Sequence, residues 1–178
     1  MRTIVVQFHP LDDSYNVALL HAVVDAMEES GRANEVVRLA QGGVIDRERL
    51  AACQHLVVVT PTWWGAMPAK VLDWIQTELG PWIDGAGDPG RSPLRSVERL
   101  TVVTSHGSSQ LMNRLQGEPG RLLWRRSVLP LCRPDAEFDW ISFYKLDRSD
   151  EGQRLAFIDR VGREIRAIAG GGAGVPPT

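Results

Sequence analysis

The adjacent tryptophans Trp63 and Trp64 are the residues of this chain best suited to ligand chemistry. They lie in the segment 61–69, PTWWGAMPA, directly after the apolar, β-branched run 56–60, which predicts a strand. Apolar residues at helical spacing follow from Ala69 onwards. Loops that join a strand to a helix lie at the carboxyl edge of a parallel sheet, where α/β proteins bind ligands. Core packing is the alternative for either indole alone, but the pair favours binding of a flat, electron-poor ring.

A second polar segment, residues 8–16 (FHPLDDSYN), leads from a predicted strand into a predicted helix. The chain contains neither a GxGxxG pattern there nor a Walker sequence anywhere, so the usual pyrophosphate and nucleoside triphosphate signatures are missing. Unpaired N–H groups at a helix amino terminus still suit a phosphomonoester, and Ser14, Asn16 and His9 offer side-chain donors. Helix capping by Ser14 or Asn16 is the alternative interpretation. The two aspartates of the segment fit phosphate binding only if they point outward.

A third candidate segment, Thr104 to Ser108, follows another apolar run. Gly107 allows a close backbone approach to a ligand, and His106 adds an imidazole. A surface loop position is an equally good interpretation of His106 alone. No Ser-His-Asp order, paired carboxylates or His/Cys cluster stands out as a competing catalytic arrangement.

Strand and helix signals alternate along the whole chain, which predicts a doubly wound α/β fold with helices on both faces of a parallel sheet. Five strands in this length favour the order 2-1-3-4-5 in one domain, residues 1–169, followed by a Gly/Pro-rich tail, 170–178, that we expect to be disordered. The predicted strands are 3–8, 35–39, 55–60, 100–104 and 138–143, and the predicted helices are 16–29, 69–79, 122–129 and 150–169. The last helix is expected to bury Leu155, Ile158, Val161, Ile165 and Ile168.

The composition excludes several function classes. The chain has 178 residues and a net charge of −2, so it carries no electrostatic case for nucleic acid or an anionic membrane. Cys53 and Cys132 have no metal-ligand spacing and are interpreted as reduced structural thiols. The arginines Arg121, Arg125 and Arg126 are expected on a solvated helix face. Neither a signal peptide nor a bilayer-spanning segment is recognisable, which favours a cytoplasmic protein that is not embedded in a membrane.

The three candidate segments together resemble the flavodoxin-like NAD(P)H:quinone oxidoreductases, including small bacterial quinone reductases that serve as ancillary subunits of potassium efflux systems. Residues 8–16 are similar to the flavin-phosphate loop of that family, and Thr104-Ser105-x-Gly107 stands where the family has Thr-Thr-Gly-Gly. Residues 140–148 look like small bacterial members. The strongest element is the pattern Pro61, Trp64, Pro68, Ala69 and Trp74, which resembles the Pro-x-x-aromatic-x-x-x-Pro-Ala-x-x-x-x-Trp signature.

The resemblance implies a flavin site with FMN, or alternatively FAD, and with NADH or NADPH as co-substrate. In the family, the first loop holds the flavin phosphate, the second runs along the isoalloxazine edge, and the third closes the pyrimidine end. His106 replaces a family glycine, and we hypothesise that it is the catalytic donor beside flavin N1. The implied cofactor-binding residues are His9, Ser14, Tyr15, Asn16, Pro61, Thr62, Trp63, Trp64, Thr104, Ser105, His106 and Gly107.

The resemblance further implies two-electron transfer from NAD(P)H to a quinone or related acceptor by a ping-pong mechanism, in a homodimer with flavin at the subunit interface. Two alternatives stay open from the sequence. One is a one-electron flavodoxin-type carrier, although a net charge of −2 does not favour the acidic docking face of such carriers. The other is a regulatory subunit of a membrane transporter.

Overall fold

The fold is a five-stranded sheet in which all neighbouring strands run parallel, in the order β2-β1-β3-β4-β5. The computed structural model describes residues 1–171, and residues 172–178 of the predicted tail lie outside the described residues. The predicted fold class and strand order are confirmed. The strands are β1 (Thr3–Gln7), β2 (Asn34–Arg38), β3 (His55–Thr62), β4 (Arg99–His106) and β5 (Glu137–Phe143).

Helices cover both faces of the sheet, as the alternating pattern predicts. The helix α5 continues directly into a π-helical turn, Leu123–Val128, so the predicted helix 122–129 is present in modified form. The sequence pattern gave no indication of α2. The helices are α1 (Tyr15–Glu29), α2 (Arg47–Ala51), α3 (Ala69–Ile83), α4 (Gln110–Leu115), α5 (Pro119–Leu122) and α6 (Glu151–Ala169).

Two apolar cores lie on opposite faces of the sheet because successive strand residues point to alternate sides. Val58 and Val102 pack on the face covered by α3, where Trp74 and Trp124 are also buried. Val57, Val59 and Val103 pack on the other face, against α1 and α6. The strands β1, β3 and β4 are buried on both sides, as expected for the centre of a parallel sheet.

Helix α6 starts with a capping box in which Asp150 and Gln153 exchange side-chain to backbone hydrogen bonds. Its buried stripe runs through Phe157, Val161, Ile165 and Ile168. The prediction that Leu155 is buried is wrong, because its side chain is 54% exposed. Leu155 precedes Phe157 by two residues, which is more than half a helical turn, and it therefore points away from the sheet.

Strand β4 is longer than predicted, and this changes the environment of the third candidate segment. Its pairing with β3 continues to the partners Thr62 and His106. Ser105 and His106, predicted in a loop, are therefore the last two strand residues. The pleat directs Thr104 and His106 to the same side as Val102, which is the face covered by α3.

Within residues 1–171, no helix is long and apolar enough to cross a membrane, and no group of His, Cys, Asp and Glu side chains is arranged to hold a metal ion. Cys53 and Cys132 are buried free thiols, in agreement with their interpretation as structural residues. Burial raises the pKa of each thiol to about 12, so both remain protonated at neutral pH.

The fully buried His55 predicts a specific pH dependence of stability. The Nε2 atom of His55 lies 2.9 Å from the Thr101 hydroxyl oxygen. Because this hydroxyl donates its proton to Asp139, it accepts a hydrogen bond from the Nε2–H of a neutral His55. Burial, with a smaller contribution from Arg99, lowers the pKa of His55 to about 3. In the unfolded chain, a histidine has a pKa of about 6.5. Between these two pKa values, the unfolded chain therefore binds a proton at His55 that the folded chain does not bind.

We therefore expect the free energy of unfolding to be independent of His55 above pH 6.5 and to fall as the pH drops towards 3, by up to about 1.4 kcal/mol per pH unit. Urea unfolding measured from pH 7.5 to 4.5 checks this slope. The variant His55→Gln should show a shallower slope, whereas His21→Gln, at an exposed position of α1, should keep that of the natural protein. Equal slopes in all three proteins would contradict the assignment.

Candidate functional site

The three candidate segments meet at the carboxyl edge of the sheet, where β1, β3 and β4 end side by side. The His9 ring packs edge-to-face on Trp63 with 5.6 Å between centroids, which connects the first segment to the second. The hydroxyl oxygens of Thr62 and Thr104 lie 3.1 Å apart and connect the second to the third. Strand order reverses between β1 and β3, and this switch point is the usual position of ligands in such sheets.

The loop between β1 and α1 presents a row of free backbone donors. Among residues 1–171, no acceptor contacts the backbone N–H groups of residues 12–16. The flanking amides are paired, since Leu11 N–H donates to His9 Nδ1 and Val17 N–H donates to Ser14. Ser14 is therefore the helix N-cap, as the alternative interpretation predicted. The five free amides lie at the positive end of the 15-residue helix α1, which favours an anion.

The first aspartate of this loop is turned away from the free amides by a partner on β2. Arg38, the last residue of β2, donates to the Asp12 carboxylate, and Gln41 donates to the same oxygen. These hydrogen bonds, that of Gln41 first, lower the pKa of Asp12. The negative charge of Asp12 is thus balanced by Arg38 outside the row of amides. At this residue, the structure agrees with the condition set for phosphate binding, that the aspartates of the loop point outward.

Asn16 lies beneath the loop in a buried position. Its side-chain oxygen accepts a hydrogen bond of 3.0 Å from Gln7, which in turn accepts from Arg38. The Asn16 amide nitrogen is buried and contacts no acceptor among the described residues. Asn16 therefore keeps one free donor next to the amide row. Tyr15, by contrast, points towards α6, where its hydroxyl donates to the carbonyl of Arg154.

The tryptophan loop is a two-residue hairpin turn. Trp63 and Ala66 exchange two backbone hydrogen bonds of 2.9 Å. The residues between them, Trp64 and Gly65, both have positive φ angles, 55° and 76°, as in a type I′ turn. This turn places the Trp64 side chain fully in solvent. A bulky residue with positive φ and an exposed indole are both unfavourable, so Trp64 does not contribute to the stability of the free fold through packing.

His106 is buried beside two aromatic rings. It stacks on Tyr144 with 4.6 Å between centroids and an interplanar angle of 16°, and Trp140 lies next to it. Burial lowers the pKa of His106 to about 4, so the ring is neutral at pH 7 and carries one N–H donor. A side-chain hydrogen bond with Asn113 acts on this pKa in the opposite direction, although neither ring nitrogen has a partner at full hydrogen-bond geometry among residues 1–171.

Gly107 lies close to the Asp147 side chain. A Cβ atom at this position would lie 2.4 Å from a carboxylate oxygen of Asp147. The backbone of Lys145 also donates to the carbonyl of Ser108, so the segment after β5 packs directly on the third candidate segment. The close approach predicted for Gly107 is thus made by the protein itself.

A small cavity of about 10 Å³, enough for one water molecule, lies beside His106 and was missed by the sequence analysis. Arg121, predicted on a solvated helix face, is 32% exposed on α5, but it also lines this cavity with its Nε buried. Arg125 and Arg126 are exposed as predicted. The only sequence signal was the aromatic segment 140–148. The cavity is lined by Thr62, Gly65, His106, Asn113, Glu118, Gly120, Arg121, Trp140 and Tyr144.

Fold and site together define a doubly wound α/β protein with a row of free backbone amides and an exposed aromatic turn at its topological switch point. The family described as having a flavodoxin-like fold matches residues 1–132. Because this match spans most of the chain, the protein belongs to that flavodoxin-like family, as the sequence resemblance predicted. No curated protein matches the sequence significantly.

Solved structures with low sequence identity share the fold. An NAD(P)H:quinone oxidoreductase from Methanothermobacter marburgensis has a TM-score of 0.72 at 16% identity, with 94% of this chain and 96% of that chain covered. An FMN-dependent NADH-azoreductase from Bacillus anthracis, solved with FMN, has a TM-score of 0.72 at 13% identity, with coverages of 94% and 99%. General stress protein 14 from Treponema denticola, solved with FMN, has a TM-score of 0.64 at 18% identity, with coverages of 96% and 99%.

The turn geometry predicts that Trp64 lowers the stability of the ligand-free protein. Replacing Trp64 by Asn gives an Asn-Gly pair, the preferred sequence for a type I′ turn, and removes an exposed indole. We expect Trp64→Asn to raise the free energy of unfolding by about 0.5 to 1 kcal/mol, measured by urea unfolding. Trp63→Asn is the matched control and should lower it, because Trp63 packs on His9. A loss of stability in Trp64→Asn would mean that the indole supports the free fold.

Proposed function

We propose that this protein is a flavin-dependent NAD(P)H oxidoreductase that passes two electrons to a quinone or a related acceptor. The observation that carries the proposal is the row of free amides at residues 12–16 next to the exposed aromatic turn at Trp64. A phosphate and a flat ring on one ligand match these two features. The structural neighbours described as quinone oxidoreductase and as FMN-dependent NADH-azoreductase support the same activity class.

FMN is the cofactor that fits the first loop. The amides of residues 12–16 and the free Asn16 side-chain nitrogen offer donors to a phosphate dianion. Arg38 balances the nearby carboxylate of Asp12. His9 contributes by supporting Trp63, since its Nδ1 already accepts from the amide of Leu11. With Nδ1 as the acceptor, the Nε2–H of His9 remains the donor for the direct phosphate contact expected for this residue.

The second and third segments would hold the isoalloxazine ring. Pro61 to Trp64 would lie along one edge of the ring, and Thr104 to Gly107 would close the pyrimidine end. When bound, flavin accepts hydride from NAD(P)H and delivers two electrons to the acceptor. We propose that neutral His106 is the catalytic donor towards the pyrimidine end, because a positioned N–H beside developing negative charge lowers the barrier.

NAD(P)H and the acceptor would occupy the same exposed side of the site in turn, which gives ping-pong kinetics. The fully exposed Trp64 leaves room for a planar partner at that position. A cytoplasmic location, where nicotinamide cofactors are available, completes this proposal.

We further propose that the protein acts as a homodimer. Helix α4 exposes Leu111, Met112 and Leu115, which form an apolar patch. The patch adjoins the tryptophan loop, since Gln116 at the end of α4 lies next to Gly65. An apolar surface at the rim of a ligand site is typical of a subunit interface that completes the site.

The phosphate loop predicts that FMN binds far more tightly than riboflavin, which carries the same ring without phosphate. A hydrogen bond to a charged group contributes about 1.5 to 3 kcal/mol. We therefore expect the Kd of FMN to be lower than that of riboflavin by a factor between about ten and about a hundred. Isothermal titration of the flavin-free protein with both ligands measures it. Equal affinities would remove the phosphate assignment of residues 12–16.

The same preparation, loaded with FMN, tests the activity. Under anaerobic conditions, NADPH or NADH should bleach the flavin absorption near 450 nm, a region typical of oxidised flavins, and menadione should restore it. A flavin that binds but stays oxidised with either nicotinamide would favour the carrier or the regulatory protein. Absence of flavin uptake would overturn the proposed function.

The dimer proposal predicts the effect of a charge in the apolar patch. Leu115→Glu should shift the protein from dimer to monomer in sedimentation velocity experiments, because a carboxylate would be buried without a partner. Leu155→Glu is the matched control, since Leu155 is an exposed leucine on α6 outside the patch. A natural protein that sediments as a monomer, or equal behaviour of both variants, would contradict the assignment.

A further inference from the structure

The guanidinium of Arg38 has hydrogen-bonding capacity that the fold does not use. Its Nε donates to the side-chain oxygen of Gln7 at 3.3 Å, and its Nη1 donates to the Asp12 carboxylate. The third nitrogen, Nη2, is buried and has no hydrogen-bond partner among residues 1–171. Unpaired neutral groups occur at several places in this protein, but a buried cationic donor without a partner is more costly. Arg38 Nη2 therefore indicates that the acceptor comes from a ligand.

A second free donor belongs to the same hydrogen-bonded group. The buried side chain of Gln7 accepts from Arg38 and donates to the Asn16 side-chain oxygen at 3.0 Å. Asn16 is 3% exposed, and its Nδ2 has no partner in the part of the chain that the structure describes. The free donors Arg38 Nη2 and Asn16 Nδ2 are thus joined through a single amide group, that of Gln7. One of the two donors carries a positive charge.

This hydrogen-bonded group extends along the whole row of free amides at residues 12–16. Arg38 binds Asp12, the first residue of the row, and is connected through Gln7 to Asn16, the last residue of the row. The row lies at the amino terminus of the 15-residue helix α1. Backbone amides and a helix dipole suit anions of many kinds. A guanidinium beside them favours a phosphate, because several phosphate oxygens can accept charge-assisted hydrogen bonds at once.

The ion pair with Asp12 leaves the positive charge of Arg38 only partly balanced. The Asp12 side chain is 79% exposed, so water screens its carboxylate, whereas the Arg38 side chain is 27% exposed. Gln41 also donates to the Asp12 oxygen that Arg38 binds. Asp13, the other carboxylate of the loop, is exposed. The buried side of the loop therefore keeps a positive potential, and a hydrogen bond from Nη2 to an anion would be shielded from water.

We propose that Arg38 binds the phosphate group of the ligand directly through Nη2, together with Asn16 and the amides of residues 12–16, and makes this loop selective for phosphorylated compounds. The inference rests on the proposed function for the identity of the phosphorylated compound, which is FMN. It adds a cationic side chain from β2 to a site that is otherwise formed by the first loop and α1. Arg38 thereby has a role beyond balancing the charge of Asp12.

Titration of the flavin-free protein with FMN and with riboflavin tests the contact. Arg38→Lys keeps a cation next to Asp12 but removes Nη2. We expect it to raise the Kd of FMN by a factor of about ten or more, the effect of losing one charge-assisted hydrogen bond, and to leave the Kd of riboflavin unchanged. Arg2→Lys is the matched control, because Arg2 pairs with Glu35 at the start of β1, and it should change neither Kd. An equal loss for both flavins would reduce Arg38 to a structural residue, and unchanged FMN binding would exclude the contact.

A second pair of variants separates direct binding from charge balance. In Asp12→Asn, no carboxylate remains for Arg38 to balance, and we expect FMN to bind at least as tightly as it binds to the natural protein. Adding Arg38→Gln to this variant removes the guanidinium and should raise the Kd of FMN about tenfold, with no change for riboflavin. If the double variant binds FMN as tightly as Asp12→Asn alone, Arg38 acts only by holding Asp12, and the proposal is wrong.

Inorganic phosphate tests the site independently of flavin. In proton–nitrogen NMR of the flavin-free natural protein, sodium phosphate should shift the amide signals of residues 12–16 in a saturable manner, and sodium chloride of equal ionic strength should not. Arg38→Lys should need about ten times more phosphate for the same shifts. Amides that do not respond to phosphate, or that respond equally in both proteins, would overturn the inference. Phosphate binding that depends on Arg38 in a protein that takes up no flavin would support this site and contradict only the proposed function.

Discussion

The hydrogen-bonded group around Arg38 is the interaction on which the candidate site depends most. Arg38 ends β2, donates to Gln7 at the end of β1, and binds Asp12 in the loop that follows β1. Gln7 is fully buried and donates to Asn16 in the first turn of α1. One guanidinium thus connects β2, β1 and α1 beneath the row of free amides. Without it, the Asp12 carboxylate would be unbalanced next to an anion-binding loop.

The same edge of the sheet concentrates features that are unfavourable for folding alone. Trp64 is fully exposed at positive φ, the Asn16 nitrogen is buried without an acceptor, and three donors around the cavity are unpaired. Elsewhere in the described chain, helix α6 is capped by reciprocal hydrogen bonds and the central strands are packed on both faces. Buried polar atoms without a partner also occur elsewhere, at Thr3, His55, Trp74 and Trp124, so the exposed indole at positive φ is the feature specific to this edge.

The two sides of the site differ in character. The first loop offers backbone amides and a helix dipole, which suit a charged group irrespective of side-chain identity. The cavity side carries the ion pair of Arg121 with Glu118 and the buried ring of His106. The aromatic turn lies between them, in contact with His9 on one side and with the cavity through Gly65 on the other. The proposed flavin, with a phosphate at one end and a planar ring at the other, would match these two sides.

The sequence by itself determined the five strands, their parallel order, the two-faced core and the three segments that meet at one edge, because these follow from local periodicity and from the rules of α/β topology. It did not determine the direction in which Asp12 points, since its partner Arg38 is 26 residues away. It also misplaced His106 and did not place Arg121 at the cavity. The register of β4 against β3 decides that His106 is a strand residue facing the cavity, and the short helix α5 carries Arg121 beside it. Only the tertiary structure could decide these points, because pairing register and contacts between distant elements leave no local pattern in the chain.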